Sequence, residues 1–317
     1  MPDADSRPRV VFMGTPEFAV PALRLLATSV ELAAVVTQPD RPSGRGRKLT
    51  PSPVKVEAEA LGLPIHQPER ARAREFVRVL SELAPDVIAI VAYGQILPRS
   101  ILDIPPHGCL NIHPSLLPTY RGAAPVQWAL WNGDEQTGVT VMQIDEGEDT
   151  GPIVRQEATA IEPTETAPEL MARLAETGAE MLSDVILHLP REGIATTPQD
   201  DSTATHAPKF TREMGVVDWT LPSGAIHNRY RACVPWPGAQ AFLPGGVALR
   251  VKSCAPTDRD VAPNPGAIVV EGGRMFAQTG QGSLELLRVQ PENRAEMDVP
   301  GYLNGLRGDV PAAFELG

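Results

Sequence analysis

The first two thirds of the chain alternate short apolar runs with helix-patterned stretches, and this alternation constrains the fold more than any single motif does. Runs at Arg9–Met13, Leu32–Val36, Val87–Val91, Leu110–Ile112 and Val139–Ile144 read as strands, and apolar residues recur at helical spacing near 54–61, 72–83 and 123–131. Phe18, Val20, Leu23, Leu25 and Leu26 supply another helix directly after the first strand. Thr15 is placed to cap it, with Pro16 at its first position. Strands that alternate with helices need crossover connections, which predicts a Rossmann-like, doubly wound α/β domain with a mostly parallel sheet. A long helix near 167–189 closes that domain.

Beyond it the pattern changes. Residues 196–212 are rich in turn formers and lack apolar periodicity, so they read as a linker. One helix follows around 223–231. After it come apolar runs broken by Pro and Gly: Ala239–Leu243, Val247–Val251, Ala267–Val270, Met275–Thr279 and Ser283–Val289. These predict a small C-terminal β-barrel, OB-like in size. At 317 residues the chain suits two domains, 1–195 and 213–317, joined by 196–212. Trp219, Tyr230 and Trp236 read as barrel or interdomain core.

Three widely spaced cysteines, Cys109, Cys233 and Cys254, argue against a disulfide framework or a zinc site and for a reducing, cytoplasmic setting. No apolar run approaches the roughly 20 residues of a membrane span, and the first residues lack the pattern of a secretory signal. No metal is expected. The net charge of −11 counts against a nucleic-acid partner, yet its distribution is uneven. From residue 210 onward 10 Lys/Arg meet 11 Asp/Glu, while the remainder carries 18 and 28. Within that acidic part lies a loop with four cations and no anion, Arg41, Arg45, Arg47 and Lys48. Charge is felt locally, within a screening length of about 8–10 Å, so such a loop can hold phosphates. It lacks the Walker spacing, and Met13-Gly-Thr-Pro-Glu-Phe lacks Gly-x-Gly-x-x-Gly, so neither predicts a nucleotide site.

The residues best suited to chemistry lie at the end of the fourth apolar run. Asn111 and His113 are two apart, and side chains at i and i+2 of a strand share a face. Either alone could be a turn cap or a satisfied structural residue. Together they stand where a strand of an open α/β sheet emerges, which is where such sheets bind ligands. Pro114 and Pro118 then prevent the ladder from continuing. Amide and imidazole donors suit an oxyanion. Five acids follow within a short span: Asp145, Glu146, Glu148, Asp149 and Glu157. Asp149 is singled out because Thr150-Gly-Pro turns the chain directly after it. A carboxylate beside His113 favours the protonated ring and can relay a proton.

Asn111-Ile-His-Pro-Ser-Leu-Leu-Pro118, Tyr120-Arg-Gly-Ala-Ala-Pro125 and Asp149-Thr-Gly together resemble the folate-dependent formyltransferase family. The likeness extends over nearly the whole chain, through Val11–Ala19, Thr37–Lys55, Val91–Pro98, Gly138–Met142 and Val234–Gly238. It implies 10-formyltetrahydrofolate as formyl donor, Asn111 and protonated His113 as oxyanion donors, and Asp149 as the support of His113. It also implies a folate pocket from Tyr93, Gly94, Gln95, Ile96 and Leu97, with Ser115, Leu116, Leu117 and Pro118 lining the cofactor side. The basic loop, Ala207-Pro-Lys209 and Val234–Gly238 resemble the branch that formylates the α-amino group of methionine on initiator methionyl-tRNA, as a monomer. Arg41, Arg45, Arg47, Lys48 and Lys209 are then the expected tRNA contacts. The nearly neutral C-terminal third departs from that branch, since it lacks a lysine-rich stretch near its end. The rival readings are a sugar-nucleotide N-formyltransferase, a formyltetrahydrofolate hydrolase, and a non-catalytic folate- or RNA-binding module.

Overall fold

The computed structural model describes residues 7–43, 46, 48–189, 193–306 and 309–316. In chain order its elements begin with β1 (Arg9–Gly14), α1 (Val20–Ser29), β2 (Glu31–Val36), β3 (Arg41–Ser43), β4 (Lys48–Thr50), α2 (Pro53–Ala60), β5 (Ile65–His66), α3 (Arg74–Leu83) and β6 (Val87–Val91). Next come α4 (Arg99–Leu102), β7 (Cys109–His113), α5 (Pro125–Asn132), β8 (Gln136–Gln143), β9 (Ile153–Ala160) and α6 (Ala167–Leu187). The last part holds α7 (Ser223–Cys233), β10 (Ala239–Leu243), β11 (Val247–Thr257), β12 (Ile268–Glu271), β13 (Arg274–Gln278), β14 (Ser283–Pro291), β15 (Met297–Asp298) and α8 (Val299–Gly305). By contact the chain divides into two compact units, one made of 1–125, 136–160 and 171–207, the other of 126–135, 161–170 and 208–317.

The first unit is built on a seven-stranded sheet of order β5-β2-β1-β6-β7-β8-β9. Pairings from β5 through β7 are parallel, while β8 and β9 run antiparallel. Strands buried on both faces need continuous apolar sequence, and β6, Val-Ile-Ala-Ile-Val, is buried at all five positions. Val11, Met13, Ile88, Ile90 and Cys109 pack on one face with Phe76 and Leu80 of α3. On α6, Leu170, Leu174, Gly178, Leu182 and Ile186 recur every four residues. A Cβ on Gly178 would lie 2.5 Å from Ile112 Cγ2, so the missing side chain sets how closely α6 approaches β7. Thr166 and Glu169 start α6 as a capping box, the Glu169 carboxylate accepting from the Thr166 amide and hydroxyl.

Thr15 does not cap α1. Its hydroxyl donates to the Tyr93 carbonyl oxygen at 2.9 Å, tying the end of β1 to the turn after β6. A 3-10 turn, Glu17–Ala19, intervenes before α1 and has no side-chain cap. β3 and β4 form a separate two-stranded ribbon.

In the second unit a six-stranded antiparallel sheet follows the path β10-β11-β14-β13-β12, with β15 paired to β14. Trp219 is fully buried and stacks on Phe314 at 4.8 Å between ring centroids, and Tyr230 packs against the same core. Trp236 corrects the sequence reading. It stands on the turn after α7 with 55% of its surface exposed. All three cysteines are free and buried, and among the described residues no helix is long and apolar enough to cross a membrane.

Candidate active site

β7 carries Asn111 and His113 on one face, while Leu110 and Ile112 take the other. Asn111 lies beside Ile90 of β6 and Met142 of β8, and His113 is opposite Thr140 of β8. Only 5% of the His113 side chain is exposed, and both ring nitrogens face acceptors. Nε2 is 2.9 Å from the Tyr120 carbonyl oxygen, and Nδ1 is 3.5 Å from Asp149 Oδ2. A carbonyl oxygen can only accept, so Nε2 carries a hydrogen. Any hydrogen His113 gives to a reacting group therefore leaves from Nδ1, and a ring donating at both nitrogens is an imidazolium. The half-buried Asn111 amide makes no hydrogen bond to another described residue, which leaves its N–H groups for a ligand.

Asp149 reaches His113 by an indirect path. Because β8 runs antiparallel to β7, it ends at Gln143 level with Leu110 rather than with His113. The turn over 144–152 must therefore fold back across the sheet. Gly151 makes this fold-back possible, since a Cβ there would sit 1.9 Å from the Gln143 carbonyl oxygen. Asp149 itself has φ 54°, and its Oδ2 accepts from the Gly122 amide at 2.8 Å. Of the four acids near it, Asp145 is taken by the turn, accepting from the Gly147 amide and the Thr150 hydroxyl. Glu146, Glu148 and Glu157 are exposed.

The loop after His113 is fastened to β8 and β9. Thr140 Oγ1 donates to the Ser115 carbonyl and accepts from the Leu117 amide, and Gln156 donates to Thr140 Oγ1 and the Leu117 carbonyl. Ser115 is buried with its hydroxyl on the Thr119 carbonyl, and Leu117 is buried too. Leu116, above Gly138, and Pro118 remain half-buried. The turn after β6 keeps Tyr93 inside, where burial pushes its phenol up to about 12. The Tyr93 carbonyl accepts from Thr15 and Gln38, and Gln95 is spent on the backbone of Pro68 and Ala71. Ile96, in contrast, is 92% exposed and Gly94 is exposed beside it. A flat heterocycle with a polar edge needs an apolar wall and free backbone groups, and Gly94, Ile96 and Leu97 have that character.

Arg41 and Lys48 are exposed on the β3–β4 ribbon, while Arg45 and Arg47 lie outside the described residues. Lys209 is exposed between Pro208, whose carbonyl accepts from the Trp128 indole, and Phe210, which packs edge-on against Trp128 and Trp131. Among the described residues no carboxylate pairs with Arg41, Lys48 or Lys209, whereas Lys55 and Lys252 are matched to Asp40 and Glu296. No group of three or more His, Cys, Asp or Glu among the described residues is arranged to hold a metal ion. Residue type gives no sign of a role for the Tyr120 carbonyl or the Gly122 amide, although both lie within Tyr120-Arg-Gly-Ala-Ala-Pro125. They act through backbone atoms.

The N-terminal family model for formyl transferases matches residues 9–186, and the model for the formyl transferase C-terminal domain matches 209–307. The chain belongs to the formyl transferase family. It is 48% identical over 306 residues to the methionyl-tRNA formyltransferase of Halorhodospira halophila, covering 94% of this chain and 96% of that one. It is 43% identical over 317 residues to the enzyme of the same description from Synechococcus sp., covering 97% and 98%. Among solved structures the fold is similar to an N-formyltransferase from Helicobacter canadensis in complex with folinic acid and dTDP-3-aminofucose, with TM-score 0.65, 16% identity and 89% and 98% coverage. It is also similar to HypX from Aquifex aeolicus in complex with tetrahydrofolic acid, with TM-score 0.63, 16% identity and 96% of this chain aligned. The chain spans about half of HypX, 48%.

Proposed function

We propose that this protein transfers the formyl group of 10-formyltetrahydrofolate to the α-amino group of methionine on initiator methionyl-tRNA, for translation initiation in the cytoplasm, and that it acts as a monomer. The observation that carries the chemistry is the setting of His113 between two acceptors, the Tyr120 carbonyl and the Asp149 carboxylate, on the same strand face as Asn111. Near-full-length identity to methionyl-tRNA formyltransferases supports the choice of acceptor.

In this reading the Asn111 amide and the His113 Nδ1–H donate to the formyl oxygen as negative charge develops on it. Asp149 balances the imidazolium and receives the amine proton through a water; as the formyl C–N10 bond breaks, that proton passes on to N10 of the departing tetrahydrofolate. Gly94, Ile96 and Leu97, with Tyr93 and Gln95 shaping their turn, form one wall for the folate. Leu116 and Pro118 form another, on a loop held by Ser115 and Leu117. The donor supplies an activated formyl carbon; the chain's residues orient it and stabilise charge. Residues 1–195 form the catalytic domain, 213–317 a tRNA-binding domain, and 196–212 the linker, whose first part packs back on the catalytic domain. Arg41, Arg45, Arg47, Lys48 and Lys209 contact the tRNA backbone.

The test is competition between acceptors. Protein is incubated with formyl-labelled 10-formyltetrahydrofolate and either charged initiator tRNA or an amino-sugar nucleotide. Label on the methionyl-tRNA is the expected result. Label on the sugar alone, or release only as formate, would refute the assignment.

A further inference from the structure

We infer that Gln199 is a positioning residue for Asp149, and that the segment 197–207 sets the geometry of the His113–Asp149 pair. The inference rests on the role proposed above for Asp149. Both residues that meet the His113 ring have backbones in the left-handed region, Tyr120 at φ 63° and Asp149 at φ 54°. A non-glycine residue persists there only where its surroundings hold it. The same polar segment holds both. The Tyr120 amide donates to Thr205 Oγ1 at 2.8 Å, and Arg121 exchanges backbone hydrogen bonds with Thr205 and Ala207 at 2.8 and 2.7 Å. On the other side, Gln199 Nε2 donates to the carbonyl oxygens of Asp149 and Gly151, at 2.8 and 2.7 Å. The backbone that presents the carboxylate is thus clamped on either side of Thr150.

The Gln199 amide can point only one way. Its Oε1 accepts from Nε and Nη2 of Arg121 at 3.0 and 2.8 Å. The Arg121 side chain is 6% exposed, and its Nη2 also reaches Asp201 Oδ1 at 2.7 Å. A flipped amide would set NH2 against guanidinium donors and its oxygen against two carbonyls. The buried arginine therefore fixes the amide, the amide fixes the turn, and the turn fixes the carboxylate 3.5 Å from the ring. A change of a few tenths of an ångström there alters charge stabilisation in the transition state without touching either substrate.

A double-mutant cycle tests this, with single-turnover formyl transfer and both KM values measured for Gln199→Ala, Asp149→Asn and the pair. Gln199→Ala should lower the rate by about tenfold with both KM values within about twofold of the parent. In the Asp149→Asn background the same substitution should cost less than about twofold, because the group it positions is already gone. Gln199→Glu keeps an acceptor for Arg121 but loses both donors. Its second oxygen faces the two carbonyls it can no longer donate to, so it should show at least the same rate loss, while Arg121 keeps its partner, which covers the case where Gln199→Ala folds poorly. An undiminished cost in the Asp149→Asn background, or a change confined to KM, overturns the inference alone. Asp149→Asn at the parental rate overturns the proposed role of Asp149 and this inference with it.

Discussion

Asp149→Asn is the most informative single change at the site, because asparagine keeps an oxygen for the Gly122 amide and removes only the charge. His113 spends its Nε2 hydrogen on the Tyr120 carbonyl, so in the role proposed for it the ring can donate to a reacting oxygen through Nδ1 only as an imidazolium. That cation loses its facing carboxylate in the variant. At 3.5 Å and an effective dielectric constant of about 20 the attraction is about 5 kcal/mol. The carboxylate is 21% exposed, and halving the figure for the solvent that reaches it leaves about 2–3 kcal/mol. The rate of single-turnover formyl transfer, at saturating donor and acceptor, should fall by roughly 30–150-fold. Thermal unfolding should stay near the parental midpoint, since the Gly122 hydrogen bond survives. A variant within threefold of the parental rate would refute the electrostatic reasoning.

Asn111→Ala should reduce kcat by about 100-fold or more with little change in folding, as measured by turnover and circular dichroism. Gly178→Ala forces a methyl against Ile112 Cγ2 and Val139 and should cost about 1–3 kcal/mol in urea unfolding; an unchanged midpoint would show that α6 does not need this close approach to β7. Burial, with Arg231 nearby, depresses His227 from its ordinary 6.5 to about 4. On acidification the unfolded chain takes the proton first. The contribution is therefore complete above about pH 6.5 and about 2 kcal/mol is lost as pH falls toward 4. Chemical denaturation across that range should show the loss, and His227→Gln should flatten it. Neutralising Arg41 and Lys48 together should weaken tRNA binding and reduce the slope of log K against log salt by roughly 1–2; an unchanged slope removes this ribbon from the interface.

Elements with a buried face were legible in the sequence, since burial on a sheet imposes a pattern. β1, β2, β6 and β7, the helices α2, α3 and α5, and most strands of the second unit follow their apolar runs within a few residues. β9 left no such signature: Arg155, Gln156 and Glu157 are exposed on the edge of the sheet, where side chains need not be apolar. Thr15 was misread because a residue suited to capping was equally suited to holding a neighbouring turn. Trp236 was misread because size and apolarity favour burial on average, yet a turn can leave such a ring in water. At the site, Asn111, His113 and Asp149 were visible as residue types. Their partners were not. Tyr120 and Gly122 contribute main-chain atoms, and Gln199, 50 residues beyond Asp149, lies in a stretch whose composition suggested only a connector.

The fold-back of 144–152 makes loop length a chemical variable. Adding or deleting one residue between Gln143 and Ile153 changes the contour of that turn by about 3.3 Å, nearly the whole separation of Asp149 from the imidazole. Surface loops elsewhere in a protein absorb insertions at small entropic cost. This turn is pinned at both ends by β8 and β9, and its middle must meet a fixed ring. An insertion here would be expected to fold and to bind its substrates, yet to present its carboxylate to water.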